Sequence, residues 1–168
     1  MIIMDKTNLI QILKPFVKKG NFTLSSLMQT DVYFDLKEAY GKPEILNSLA
    51  DSVYEIIDKK ATCVAAKGFG GIPLATAISL RHCLNLTLMR DKPKDYRTKK
   101  FIEAYIPTKD DKIAIVDDVF TTGKNLREAI EILETTKGNI LGCYVVVKRG
   151  EGELNYPLSY VINLEKLL

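Results

Sequence analysis

The sequence predicts an α/β fold, a mainly parallel central sheet flanked by helices, with a small hood formed by the N-terminal segment. Three observations carry this. From Ala61 onward, short β-branched runs alternate with helical patterns, the signature of parallel strands joined by crossover helices. Residues 112–118, KIAIVDD, form a continuous apolar run, as in a strand covered on both faces, and turn abruptly acidic at the end. Ahead of Ala61 the pattern is two helical stretches around short β-like pieces, which do not alternate and so stand outside the main sheet. With 168 residues, 46% hydrophobic content and no repeat or low-complexity tract, the chain is expected to form one domain over 1–168. The hood occupies about 1–40 and the core sheet about 60–150, with a flexible loop at about 90–100.

The elements follow in order. Leu9, Ile10, Ile12, Leu13, Phe16 and Val17 share one helical face after Asp5, with a kink at Pro15 and a stop at Gly20. Phe22 and Leu24, then residues 32–36, are β-like segments around the polar SSLMQTD and predict an irregular hairpin. Pro43 opens a second helix, with Ile45, Leu46, Leu49, Val53, Ile56 and Ile57 inward. TCVAA at 62–66 is the first strand of the main sheet, followed by a glycine-rich turn, a helix from about Pro73 to His82, and the strand LTLM at 86–89. After residues 112–118 comes a helix from about Asn125 to Lys137 with Leu126, Ala129, Ile130 and Leu133 inward. The strand ILGCYVVV and a last strand near 160–162 complete the fold.

Composition excludes several classes of function. No run of 18 apolar residues occurs, and MIIMDKTNL places charges where a signal peptide needs its apolar segment, so a soluble, cytoplasmic protein is expected, with no membrane partner. A net charge of +3 and a pI near 8.6 are too mild for a dedicated nucleic-acid binder, and no appended helix-turn-helix is visible. Cys63, Cys83 and Cys143 are odd in number, far apart and set among apolar neighbours, which fits buried reduced thiols better than disulfides or a zinc site. His82, the only histidine, is expected to cap a helix or lie at the surface, without a metal.

The chemistry concentrates in IAIVDDVFTTGKNL, residues 113–126. Ligands of open α/β sheets sit beyond the carboxyl ends of the strands, which is where Asp117 and Asp118 fall. The following Val119, Phe120, Thr121, Thr122, Gly123, Lys124 and Asn125 combine a glycine turn with a helix start. Their successive N–H groups form a concave anion site, with the hydroxyls of Thr121 and Thr122 and the Asn125 amide as further donors. The two acids suit vicinal ribose hydroxyls. Facing a pyrophosphate ester they would repel it, so Mg2+ held mainly by the substrate, near Asp117 and Asp118, is expected as cofactor. The segment is not a Walker A loop, because Asp118 and Asn125 stand where that loop needs a glycine and a Ser or Thr.

This segment resembles the phosphoribosyl pyrophosphate signature of type I phosphoribosyltransferases, and the rest of the chain resembles their orotate branch in the right order. FTLSS at 22–26 with VYFDL at 32–36 is similar to the hood that covers the base. RDKPKDYRTKKFIEA at 90–104 is similar to the mobile catalytic loop, and VVVKRGEG at 145–152 to the strand that ends in a base-contacting arginine. The resemblance implies transfer of 5-phosphoribose from phosphoribosyl pyrophosphate to orotate, giving orotidine 5'-phosphate and pyrophosphate. It further implies Lys94 and Arg90 as catalytic residues, with Tyr96 as a pyrophosphate-substrate contact, Lys92 as a lesser candidate, and Thr121, Arg149, Tyr33 and Phe34 around orotate. A homodimer is implied, with loop 90–100 completing the neighbouring site.

Physical reasoning supports the loop and leaves other positions open. Six basic residues between Arg90 and Lys100 against Asp91 and Asp95 give a local charge of +4, suited to the negative charge that grows on departing pyrophosphate. Arg149 either forks onto a planar carboxylate or pairs with Glu151 or Glu153. Tyr33 and Phe34 either wall the base or fill the core. GFGG at 68–71 is either the loop whose amides approach pyrophosphate or simply a tight turn, and Lys67 before it faces either phosphate or solvent. Four positions depart from the family pattern: Asp91 for a lysine, Arg97 for a glycine, Lys148 for an acid, and Asn125 for a Ser or Thr. The competing functions are transfer to uracil or a purine, and a non-catalytic regulator that binds phosphoribosyl pyrophosphate.

Overall fold

The computed structural model describes residues 6–23, 29–92 and 101–164. A two-stranded antiparallel hairpin, β1 (Val17–Thr23) and β2 (Gln29–Phe34), stands apart from a six-stranded sheet. That sheet contains β3 (Cys63–Lys67), β4 (Asn85–Met89), β5 (Ile102–Ala104), β6 (Lys112–Phe120), β7 (Asn139–Lys148) and β8 (Leu158–Asn163), in the order β5-β4-β3-β6-β7-β8. Only β5 runs antiparallel to its neighbour. The helices are α1 (Lys6–Leu13), α2 (Leu36–Tyr40), α3 (Pro43–Ile56), α4 (Gly68–His82) and α5 (Lys124–Glu134).

Two apolar cores lie on the two faces of the sheet. Leu9, Leu13, Leu36, Leu49, Val53, Leu74 and Ile78, from α1 to α4, pack on Val64, Ala114, Val116 and Val146. Leu126, Ile130 and Leu133 of α5 pack on Cys63, Ala65, Ile113, Ile115 and Val145. Successive β6 side chains thus alternate between the cores, which is why the strand is apolar throughout instead of at every second position. Helix α4 carries the chain from β3 to β4, and α5 carries it from β6 to β7 on the far side. The neighbouring strands β3 and β6 therefore send their connections in opposite directions, which opens a crevice at their carboxyl ends.

The structure corrects several expectations. The first helix ends at Leu13 and passes through a 3₁₀ turn, Lys14–Phe16, because Pro15 starts a new turn instead of kinking an old one; Val17 and Gly20 lie in a strand. Residues 32–36 are not one extended piece, since Asp35 accepts a bond from the Glu38 N–H and starts α2. Helix α4 begins at Gly68, so GFGG is its first turn and Pro73 lies inside it. Helix α5 ends at Glu134, short of Lys137. Cys83 is exposed in a left-handed conformation at the end of α4, whereas Cys63 and Cys143 are buried. His82 is neither cap nor surface residue. Its ring stacks on Tyr54 at 3.6 Å, and Nε2 lies 3.0 Å from Asp51, which Arg81 also holds through two bonds.

At the opposite end of the sheet from the crevice, buried Asp111 gathers four donors. Thr62 Oγ1 donates to Oδ1 at 3.0 Å, and the Tyr105 hydroxyl, the Thr108 N–H and Thr108 Oγ1 each donate to Oδ2 at 2.8 Å. Burial alone would raise this carboxyl, but the bonds outweigh it and hold it at about 2. A carboxyl held below its unfolded value stabilises the fold above the ordinary carboxylate range and loses that contribution as pH falls towards about 2. Asp111→Ala is therefore expected to lower stability by about 1–3 kcal/mol at pH 7. Urea titrations should show the gap between wild type and variant closing as the pH is taken from 6 down to 3.

Candidate active site

The crevice between the ends of β3 and β6 holds a cavity of about 360 Å³. Its floor and walls are Asp117 to Leu126, Gly68 to Gly70 at the start of α4, Lys37 of α2 and Glu128 of α5. All nine residues from Asp117 to Asn125 that the sequence singled out line it. Strand β6 supplies the acids at the point where its apolar run emerges from the sheet. The turn 121–123 then leads into the first turn of α5, whose Lys124, Asn125 and Leu126 also line the cavity.

The acids are held differently. Asp117 is 5% exposed, its Oδ2 accepting from Asn125 Nδ2 at 2.7 Å and its Oδ1 from the Asp118 N–H at 2.9 Å. Burial, and then the neighbouring charge of Asp118, push the Asp117 carboxyl well above the ordinary carboxylate range, with the Asn125 bond opposing them. Asp118 is more open. Its Oδ1 accepts from the Val119 N–H at 2.7 Å, and its Oδ2 lies 3.4 Å from Lys37 Nζ. Behind this pair the Tyr40 hydroxyl is the one buried side-chain polar atom among the described residues without a hydrogen-bond partner. Its pKa is raised by burial and by the negative charges of Asp118 and Asp117.

The threonine-glycine turn is fixed from behind. Arg127 Nη1 donates to the Thr122 carbonyl at 2.9 Å and to the Glu153 carbonyl at 3.1 Å, and the Arg149 N–H donates to the Phe120 carbonyl at 2.8 Å. A Cβ at Gly150 would stand 2.5 Å from the Thr121 carbonyl oxygen, so this close approach requires glycine. On the other side a Cβ at Gly70 would stand 2.4 Å from the Asp118 carboxylate. The first turn of α4 can therefore wind directly against the acids only because no side chain intervenes.

Other residues singled out from the sequence lie elsewhere. Lys94 and Tyr96 lie outside the described residues, as do Arg97, Lys99 and Lys100. Arg90 is exposed and donates from Nε to Glu103 at 2.9 Å, away from the cavity lining. Arg149 lines a separate recess of about 250 Å³ with Asp31 and Val32 of the hood, its pKa lowered by burial and partly restored by Asp31. Phe34 is buried in the core, and Tyr33 packs on Phe22 at 5.4 Å. Lys67 is buried and does not face solvent. Its ammonium is bonded to Asp91 and, at 2.8 Å, to Glu128. Sequence reasoning missed Lys37, Phe69 and Glu128 as cavity residues. Phe69 carried one usable signal, a large apolar side chain among glycines, whereas Lys37 carried none.

Among the described residues no three His, Cys, Asp or Glu side chains are arranged to hold a metal ion, and no helix is long and apolar enough to cross a membrane. Asp117 is the more deeply buried of the two acids, whereas Asp118 is more open and its Oδ2 already faces a cation, Lys37 Nζ, so Asp118 is the better placed to meet a cation arriving with a ligand. A hard divalent ion carried on a pyrophosphate fits this arrangement.

Residues 37–162 match the family model described as the phosphoribosyl transferase domain. The orotate phosphoribosyltransferase of Methanosphaera stadtmanae is 40% identical over 154 residues, covering 88% of this chain and 84% of that protein. That of Methanocaldococcus jannaschii is 37% identical over 149 residues, with the same coverage of 88% and 84%. The crystal structure of orotate phosphoribosyltransferase from Aeropyrum pernix superposes with a TM-score of 0.82 at 27% identity, over 95% of each chain. Paired acids and a glycine turn lining one cavity at the switch point of the sheet, together with this extent of similarity, lead to one conclusion: the chain belongs to the phosphoribosyltransferase family, in the orotate phosphoribosyltransferase group.

Proposed function

We propose that the protein transfers the 5-phosphoribosyl group of phosphoribosyl pyrophosphate to orotate, releasing pyrophosphate and forming orotidine 5'-phosphate, as a step of pyrimidine nucleotide synthesis. The observation that carries this reading is the juxtaposition of Asp117 and Asp118 with the clasped turn 121–125 in one cavity. The N–H groups and hydroxyls of the turn take the 5'-phosphate. Asp117 and Asp118 accept from the ribose hydroxyls and so hold the anomeric carbon towards the cavity mouth. Asp118 would meet the Mg2+ carried mainly by the substrate, which would supply neutralisation of the pyrophosphate charge. Lys94 and Arg90 stabilise the leaving group as its charge grows, and water is excluded because it would hydrolyse the activated sugar.

Arg149 is the proposed contact for the orotate carboxylate. Its backbone is tied to Phe120 at the edge of the cavity, so a side-chain turn of its guanidinium, not a backbone movement, brings it to the base. The whole chain, 1–168, is read as one catalytic unit that works in the cytoplasm as a homodimer. Support for the dimer comes from α4, where Phe69 and Leu80 are 84% and 78% exposed. They are three turns apart on one side of the helix, an apolar stripe of the kind that a second copy covers.

Incubation with magnesium and phosphoribosyl pyrophosphate plus orotate, uracil, hypoxanthine or adenine should release pyrophosphate rapidly with orotate alone. Rapid turnover with another base instead would overturn the assignment. Lys94→Ala is expected to lower kcat about 100-fold while changing substrate binding much less; equal turnover removes Lys94 from the mechanism. Asp117 sets a further test. A carboxyl raised in the folded state binds its proton more tightly there than in the unfolded chain, so ionisation costs stability as pH rises above the ordinary carboxylate range. Asp117→Asn should therefore lose less stability than wild type between pH 5 and pH 8 in urea titrations, while binding phosphoribosyl pyrophosphate more weakly. Parallel pH profiles would show that Asp117 carries no such cost.

A further inference from the structure

Asn125 lies between an anion and a cation. Its side-chain amide has a carbonyl oxygen and an NH2 group of nearly equal size, so which end faces Asp117 is an electrostatic choice. Lys67 makes that choice twice. Its backbone carbonyl accepts from Asn125 Nδ2 at 3.2 Å, and its ammonium donates to Asn125 Oδ1 at 3.4 Å. With the amide held this way round, Nδ2 donates to Asp117 Oδ2 at 2.7 Å. The reversed amide would set a carbonyl oxygen against a carboxylate and a backbone carbonyl, and an NH2 group against an ammonium.

The ammonium is itself fixed. The Lys67 side chain is 7% exposed and is bonded to Asp91 at the root of the basic segment and to Glu128 on α5. Burial would lower its pKa, but these two acids outweigh burial and raise it, so the group is a lasting cation. It does not line the cavity that holds the acids, and its effect there must pass through Asn125. A lysine at position 91 would repel Lys67, whereas Asp91 anchors it. A Ser or Thr at position 125 would turn its hydroxyl to suit an acceptor without help, whereas an amide has to be oriented.

We propose that Lys67 is a positioning residue for the sugar-binding acid: held by Asp91 and Glu128, it fixes the Asn125 amide with its NH2 group towards Asp117. The carboxylate then keeps a donor on its inner side and offers its remaining acceptor directions to the ribose hydroxyls. This rests on the proposed reading of the cavity as the site of phosphoribosyl pyrophosphate.

The test is steady-state kinetics on the full chain, with phosphoribosyl pyrophosphate varied at saturating orotate, for Lys67→Met, Asn125→Ser and the double variant. Lys67→Met is expected to raise the KM for phosphoribosyl pyrophosphate about 10-fold with a smaller change in kcat, and Lys67→Arg to restore most of the loss. In the Asn125→Ser background, where a rotatable hydroxyl needs no orienting cation, Lys67→Met should change KM less than about 2-fold. The same rise in KM in both backgrounds, or none in the native background, overturns the role. If Lys67→Met does not fold, Lys67→Gln gives the same comparison while leaving Asp91 and Glu128 a donor. Wild-type turnover separates the two levels of inference. Its absence sinks the functional reading, whereas turnover without dependence on residue 125 sinks only the role of Lys67.

Discussion

A carboxylate at the end of a strand buried on both faces costs several kcal/mol unless donors or cations meet it, and β6 ends in two of them. Much of the polar structure around the crevice answers that cost in part. Asp117 receives the Asn125 amide and the Asp118 N–H, while Asp118 receives the Val119 N–H and faces Lys37 from the hood. What these groups leave unanswered is visible in the raised pKa of Asp117 and in the partnerless Tyr40 hydroxyl behind it. A folded chain retains such a defect where a ligand completes it, and under the proposed function the completing groups are hydroxyls and a cation that come with a phosphorylated sugar.

The fold makes the arrangement possible by where its connections run. Because β3 and β6 are neighbours whose crossovers leave in opposite directions, the starts of α4 and α5 flank the acids without colliding. Helix α4 comes close enough to touch Asp118 only through a glycine, and the loop after β7 supports the phosphate turn only through another. Arg127 joins that loop to the turn through two carbonyls. The shape of the turn 121–123 and the position of the Arg149 backbone are thus parts of one packed unit.

How much of this could be read in advance depended on how far apart the interacting residues are. Strand β6, its acids and the turn after it were legible because an apolar run, two charges and a glycine turn are consecutive. Helix α3 was legible from Pro43 and a regular apolar spacing, and α5 from its inward leucines and isoleucines. Lys37 was not, since its partner Asp118 lies 81 positions away and nothing local marks the lysine as inward-facing. His82 was misjudged for the same reason, its partner Asp51 being 31 positions distant on another helix. Lys67 looked like either a phosphate ligand or a solvated residue because its neighbours are glycines, and its burial between Asp91 and Glu128 is a purely tertiary outcome. At Val17 and Gly20 the helical spacing of apolar residues ran on past Pro15, but the backbone did not. Pairing with β2 outweighed a periodicity that proline had already ended.

Every role assigned here depends on a sugar phosphate occupying the crevice in one orientation. The direct measurement is a crystal structure of the protein with phosphoribosyl pyrophosphate and magnesium. The 5'-phosphate is expected within about 3 Å of the backbone N–H groups of residues 121–125, with the ribose hydroxyls at the Asp117 and Asp118 carboxylates. A sugar phosphate bound in another part of the molecule, or seated in the turn with its hydroxyls directed away from both acids, would contradict the site and the mechanism together.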